Sequence, residues 1–176
     1  MRRPMGKYRF ISTDVELFLD RLAMALKEAG KLNVPIGERE PTLEELKERI
    51  DIGDFKVLFR YNLFMPCSYN IFTDKPADSW TGMSYTSPMY RLSKTEMLLG
   101  YDYIFVNGTE TTLNISVEVY DKDNQLMSKS NPVNVPVKRS MLTDVRGEFL
   151  TSKATGGVAI NPGFDGDDYN VPVVFP

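Results

Sequence analysis

Apolar and polar residues alternate with a period of two over much of the chain, and this alternation predicts a β-rich protein. Phe55, Val57, Phe59, Tyr61 and Leu63 alternate with Lys56, Leu58, Arg60, Asn62 and Phe64, the pattern of a half-buried strand. The cleanest case is Leu113, Ile115, Val117 and Val119 on one side, with Thr112, Asn114, Ser116 and Glu118 on the solvated other. Further strands are predicted over residues 101–106, 125–130, 141–150 and 158–160, and across Val133, Val135 and Val137. Pro132 and Pro136 remove ladder donors, so that last strand belongs at a sheet edge or carries a bulge. Asn107-Gly108 is a strong hairpin dipeptide. Residues 121–124 and Gly156-Gly157 read as turns, and Val171–Phe175 is an extended apolar tail. Strands at roughly ten-residue spacing with turns between them predict an antiparallel β-sandwich.

The period changes near the N-terminus. Val15, Phe18, Leu19, Leu22, Leu26 and Ala29 form a helical stripe that Gly30 stops. Thr13 to Glu16 has capping-box spacing, and so does Thr42 to Glu45, which opens a shorter helix with Leu43, Leu46 and Ile50 on its apolar side. The sequence therefore predicts one β-sandwich domain over residues 1–176, with a helical insertion at about 12–52. Residues 65–92 hold prolines at 66, 76 and 88 and the single tryptophan, Trp80. Short strands and turns over the sandwich edge suit that stretch better than one regular element.

Composition then narrows the chemistry. The chain has 176 residues, no histidine, one cysteine and a net charge of −3. Without histidine there is no Ser-His or Cys-His nucleophile pair and no His-containing zinc site. The acidic balance argues against nucleic acid as a partner. Arg2, Arg3, Lys7 and Arg9 read as a solvated edge. Cys67 has no basic neighbour in its run and reads as a small buried residue. No stretch approaches the length of a transmembrane helix, and no apolar signal-peptide core follows the basic start.

Few residues invite a ligand. Asp165-Gly166-Asp167-Asp168 places alternate carboxylates around a glycine, as calcium prefers, but lacks the glutamate that closes an EF-hand; a solvated turn is the alternative. Asp121 and Asp123 give a weaker form of the same signal. Trp80 is expected to plug the core end of its loop, with a carbohydrate platform as the other reading. Glu44 and Glu48 fit a solvated helix face, and Tyr85, Tyr90, Tyr101 and Tyr103 are spaced as strand residues. There is no phosphate-binding glycine loop. No catalytic, cofactor-binding or metal-ligating residue is assigned, and no cofactor is expected.

Several runs resemble a known family. Phe64-Met65-Pro66, residues 72–82, residues 100–110, residues 134–140, residues 147–151 and residues 161–165 are similar to fimbrillin-like surface proteins of Bacteroides-type bacteria. Arg3-Pro4-Met5-Gly6 resembles the point in those proteins where a first β-domain hands over to a second. The resemblance implies a transthyretin-like sandwich in a noncatalytic structural or adhesive subunit of the outer-membrane surface. It also implies an upstream β-domain and an export or lipid-anchoring signal before residue 1. The partners implied are other surface or pilus subunits, or that upstream domain, reached through sheet edges and strand addition. An extracellular carbohydrate- or calcium-binding module is the competing expectation.

Overall fold

The computed structural model describes residues 3–30 and 34–151, and the backbone of residues 156–161. In chain order the elements are β1 (Met5–Ser12), α1 (Val15–Glu28), α2 (Leu43–Glu48), the 3-10 turn Ile52–Asp54, β2 (Lys56–Tyr61), β3 (Met65–Pro66), β4 (Tyr69–Asn70), β5 (Lys75–Pro76), β6 (Ser79–Trp80), β7 (Ser84–Pro88), β8 (Tyr90–Arg91), β9 (Met97–Phe105), β10 (Glu110–Tyr120), β11 (Leu126–Lys129), β12 (Val133–Lys138), β13 (Leu142–Gly147) and β14 (Gly156–Asn161). The protein is mainly β, with two short helices near its N-terminus, as the alternation predicts.

Two sheets face each other. One runs β14-β13-β1-β9-β8, the other β11-β10-β2-β7 with β12 also paired to β10. Ile115 pairs with Tyr61 of β2 and with Val133 of β12, so β12 lies on the side of β10 away from β2 and forms an edge. Proline is tolerated there, and Pro136 sits opposite Thr112. Among the described residues all pairings are antiparallel except one: β1 and β13 run parallel, with Tyr8 opposite Thr143 and Phe10 opposite Val145. The core between the sheets joins Tyr8 and Phe10 to Phe59, Leu99, Ile115, Val117 and Val145. Phe10 meets Phe59 edge-to-face across the gap, centroids 5.4 Å apart. Gly100 makes this close approach possible, because a Cβ there would lie 2.5 Å from the Phe59 ring.

The structure corrects several sequence expectations. The basic start is no solvated edge: β1 is a central strand, its buried Tyr8 and Phe10 alternating with Lys7 and Arg9. Arg9 forms an ion pair with Asp144 on β13, and the Lys7 ammonium lies 4.2 Å from the Tyr101 ring centroid. Asn107-Gly108 does not close a hairpin. It carries the chain from β9 in one sheet to β10 in the other, with Gly108 at φ 71°, a conformation glycine adopts without steric penalty. Gly156-Gly157 is no turn but the start of β14, paired with Arg146 and Gly147. Ser116 and Glu118, expected in solvent, are buried. Asn62 donates to Ser116 Oγ (2.8 Å), while Arg60, Lys129 and the Tyr120 hydroxyl surround the Glu118 carboxylate.

The two capping boxes part company. Thr42 and Glu45 cap α2 reciprocally. Helix α1 begins instead from Asp14, whose side chain makes no cap. That carboxylate accepts from the Ser12 hydroxyl and from Thr151 N (2.8 Å) and Thr151 Oγ1 (2.7 Å). It thereby ties the helix entry to the segment after β13.

Candidate functional site

The described core is closed at the helix end. Phe18 of α1 packs edge-to-face on Phe55, with Leu22, Ile50 and Ile52 beside it. Lys47 of α2 gathers Glu16, Asp20 and Glu44. The opposite end bears a long hairpin arm, on which Leu63, Phe64, Ile71, Phe72, Trp80 and Met83 are exposed.

The arm leaves the body after Tyr61 and returns at Met83, whose carbonyl accepts from Tyr61 N (2.9 Å). Its two sides hold one register: Met65 opposite Trp80, Pro66 opposite Ser79, Tyr69 opposite Pro76 and Asn70 opposite Lys75. Between these short strands Cys67 N donates to Asp78 O and Ala77 N to Ser68 O. Asn70 shapes the tip, its Oδ1 accepting from Phe72 N (2.9 Å) and Thr73 N (3.2 Å). The Asn side chain thus imitates a backbone turn.

This ribbon is too thin for a core of its own, and apart from Met65 and the half-buried Tyr69 its large apolar residues face outward. Phe72 is 94% exposed, Phe64 and Ile71 are each 71% exposed, and Trp80 is 66% exposed. Trp80 does not plug the core, as expected of it, because a two-stranded ribbon has no second layer to cover the ring. Cys67, expected to be buried, is exposed on the same ribbon for the same reason.

A single arginine holds the arm down. Arg139, just after β12, donates from Nη1 to both Asp74 carboxylate oxygens (2.9 and 3.0 Å) and from Nη2 to the Tyr69 hydroxyl (2.7 Å). The Tyr69 ring stacks on Phe105 with centroids 5.5 Å apart. The Tyr69 hydroxyl and then the Arg139 guanidinium hold the Asp74 carboxyl below its ordinary range. Between the tip and the body lies a cleft of about 610 Å³, bordered by Thr73, Lys75, Asn107, Glu110 and Lys138.

Beneath the arm the sheets enclose a phenol cluster. The Tyr8 hydroxyl shares hydrogen bonds with those of Tyr61 and Tyr85, and Tyr61 donates to Asp102 Oδ2 (2.7 Å). Burial raises all three phenols above their ordinary value, with the neighbouring phenols adding to it at Tyr8. At neutral pH these are neutral hydrogen-bonding groups that satisfy one another within the core.

Other sequence candidates lie apart. Asp121 Oδ1 accepts from Asp123 N and Gln125 N, both at 2.9 Å, so this carboxylate shapes its own turn. The Asp165–Asp168 turn and the tail over residues 171–176 lie outside the described residues. Tyr101 and Tyr103 sit half-exposed on the outer face of their sheet, edge to face. Among the described residues no group of three or more Cys, Asp or Glu could hold a metal ion. No described helix is long and apolar enough to cross a membrane. Phe64, Phe72 and Arg139 lie in runs that carry the family resemblance, but nothing local marks them or Ile71 as an exposed set; the available signal is large apolar residues in a proline-rich stretch.

Residues 1–174 match the model of a family described as a family of unknown function, DUF6562. No curated protein and no solved structure matches the chain.

Proposed function

The chain belongs to the DUF6562 family, and from that premise we propose that it is a noncatalytic structural or adhesive subunit of the bacterial cell surface, fimbrillin-like in kind, working through protein contacts. One observation carries this reading: the apolar arm, with Phe64, Ile71, Phe72 and Trp80 turned to solvent while Arg139 latches it to the body. Large apolar side chains exposed together on one projecting element suit an interaction site, and aromatic side chains are the residues that anchor protein interfaces. Strand edges at β7 and β12 offer further backbone donors and acceptors.

Surface digestion tests the reading. Intact producing cells treated with added protease should lose the chain, and Phe72→Ser with Trp80→Ser should reduce cell–cell or cell–surface adhesion several-fold at unchanged protein level. Complete protection until the cells are lysed would sink the proposal. A second reading, carbohydrate binding, is favoured by the exposure of Trp80, since a solvent-facing indole is a platform for sugar rings. A glycan array probed with the wild type and Trp80→Ala decides it: binding that vanishes in the variant would replace protein contacts with glycan recognition.

A further inference from the structure

Two apolar features lie at opposite ends of one strand. The arm tip sits beside Glu110, the first residue of β10, where Thr73 and Lys75 border the cleft that Glu110 also lines. Beyond the last residue of β10, Asp121 borders a second groove, of about 440 Å³, between the C-terminal half of α1 and the turn before β11. Eleven strand residues separate the two by roughly 35 Å at about 3.4 Å per residue. The groove floor is apolar, formed by Leu22, Leu26, Ile50, Phe55 and Met127, with Ala25 at its wall. Its size lies within the range of about 300–1,000 Å³ that accepts a small ligand, room enough for the Ile71 and Phe72 side chains.

Charge agrees with shape. Asp51, Asp54, Asp121 and Asp123 border the groove against Arg49 and Lys122, so its rim is acidic. At the tip Asp74 is compensated by Arg139, while the exposed Lys75 stands next in the chain. An apolar knob whose tip carries the lysine Lys75, with Asp78 farther along the arm, thus lies at one end of the molecule and an acidic, apolar socket at the other.

We infer that the occupant of the groove is the arm of a second copy of this chain, giving a head-to-tail contact with Ile71 and Phe72 in the socket and Lys75 against its aspartates. The inference rests on the protein-contact reading above and names the partner. Knob and socket are different surfaces at opposite ends, so the contact is heterologous; one pairing leaves a free knob and a free socket, and the assembly grows as an open row.

The test uses the full chain and two variants, Phe72→Ser to blunt the knob and Ala25→Arg to fill the socket. Both positions are exposed, so melting curves of both variants should overlay the wild type and exclude misfolding. In sedimentation velocity at rising concentration the wild type should pass through dimer to larger species, while each variant alone stays monomeric. An equimolar mixture of the variants should give a dimer and nothing larger, because one supplies the intact socket and the other the intact knob. A wild type that stays monomeric, a mixture that stays monomeric, or an Ala25→Arg chain that assembles normally would each overturn the inference. Phe72-dependent co-sedimentation of a monomeric chain with phosphatidylcholine vesicles would also overturn it, making lipid the occupant. In every failing case, Phe72-dependent adhesion and protease accessibility of intact cells still decide the broader reading separately.

Discussion

Both ends of the sandwich use a carboxylate to hold a segment distant in sequence, yet the two sites differ in what surrounds the charge. At the helix end Asp14 is 6% exposed and collects donors from Ser12 and Thr151 inside the protein. At the arm end the Asp74 side chain is 72% exposed, and it reaches down to Arg139, whose own side chain is only 12% exposed. A buried donor that loses its acceptor bears the full desolvation cost, whereas an exposed partner is re-solvated by water. The same bond type thus makes a permanent joint at one end and a releasable latch at the other.

The largest effect tests whether the core is equally closed beneath both ends. Tyr8 and Tyr61 are buried under the arm with phenols raised above the ordinary value by burial. Unfolded phenols ionise near pH 10 while the folded ones keep their protons, so this contribution is whole below pH 10 and is lost as pH rises beyond it. Each of the three buried phenols, Tyr85 included, should remove about 1.4 kcal/mol of stability per pH unit there, about 4 kcal/mol together. Urea midpoints between pH 9 and 12 should fall accordingly, and Tyr8→Phe should lower the slope by about a third. A flat profile would mean that the arm end is open to water.

Next in size is the buried joint. Asp14→Ala should cost about 3 kcal/mol, since it strands the Thr151 amide and two hydroxyls in the interior. Thermal unfolding measures it, and a loss under 1 kcal/mol would erase the contrast with the latch.

Smaller still, Arg139→Ala should lower global stability by about 1 kcal/mol or less yet free the arm. Limited proteolysis should then cut within residues 71–74 much faster than in the wild type. Acid should act similarly: the depressed Asp74 carboxyl keeps the latch whole above the ordinary carboxyl range and loses it as pH falls through its lowered value. Cleavage that ignores both Arg139 and acid would refute the latch. The smallest effect belongs to Phe72→Ser, which should change the melting free energy by less than about 0.5 kcal/mol, because nothing in the body covers that ring.

What the sequence made legible follows from the range of each interaction. The apolar side of β10, the Gly30 stop and the Thr42–Glu45 box are local, and each appears where expected, whereas Ser116 and Glu118 on the other side of β10 are buried by their neighbours. Asn107-Gly108 misled because a turn dipeptide specifies backbone shape, not the sheet the next strand joins. Thr13 misled because Asp14 found better donors 137 residues away. The candidate site was the least readable part. Trp80 and Cys67 looked like core by residue type, and only the ribbon's lack of a second layer leaves them outside. Arg139 is an ordinary strand-end residue until the fold brings Asp74 beside it across 65 positions.

The parallel pairing of β1 with β13 sets a timetable for synthesis. Strand β1 emerges from the ribosome first, but its antiparallel neighbour β9 begins 85 residues after β1 ends, and β13 begins another 37 residues after β9 ends. At roughly 5–20 residues per second of elongation, Tyr8 and Phe10 wait on the order of ten seconds before both sides of their strand are occupied. Such distant pairings fold slowly and leave an apolar edge open meanwhile. Lys7 and Arg9, interleaved with those aromatics, keep that waiting edge charged, so the residues that disguise β1 as a solvated segment also protect the nascent chain from premature strand pairing.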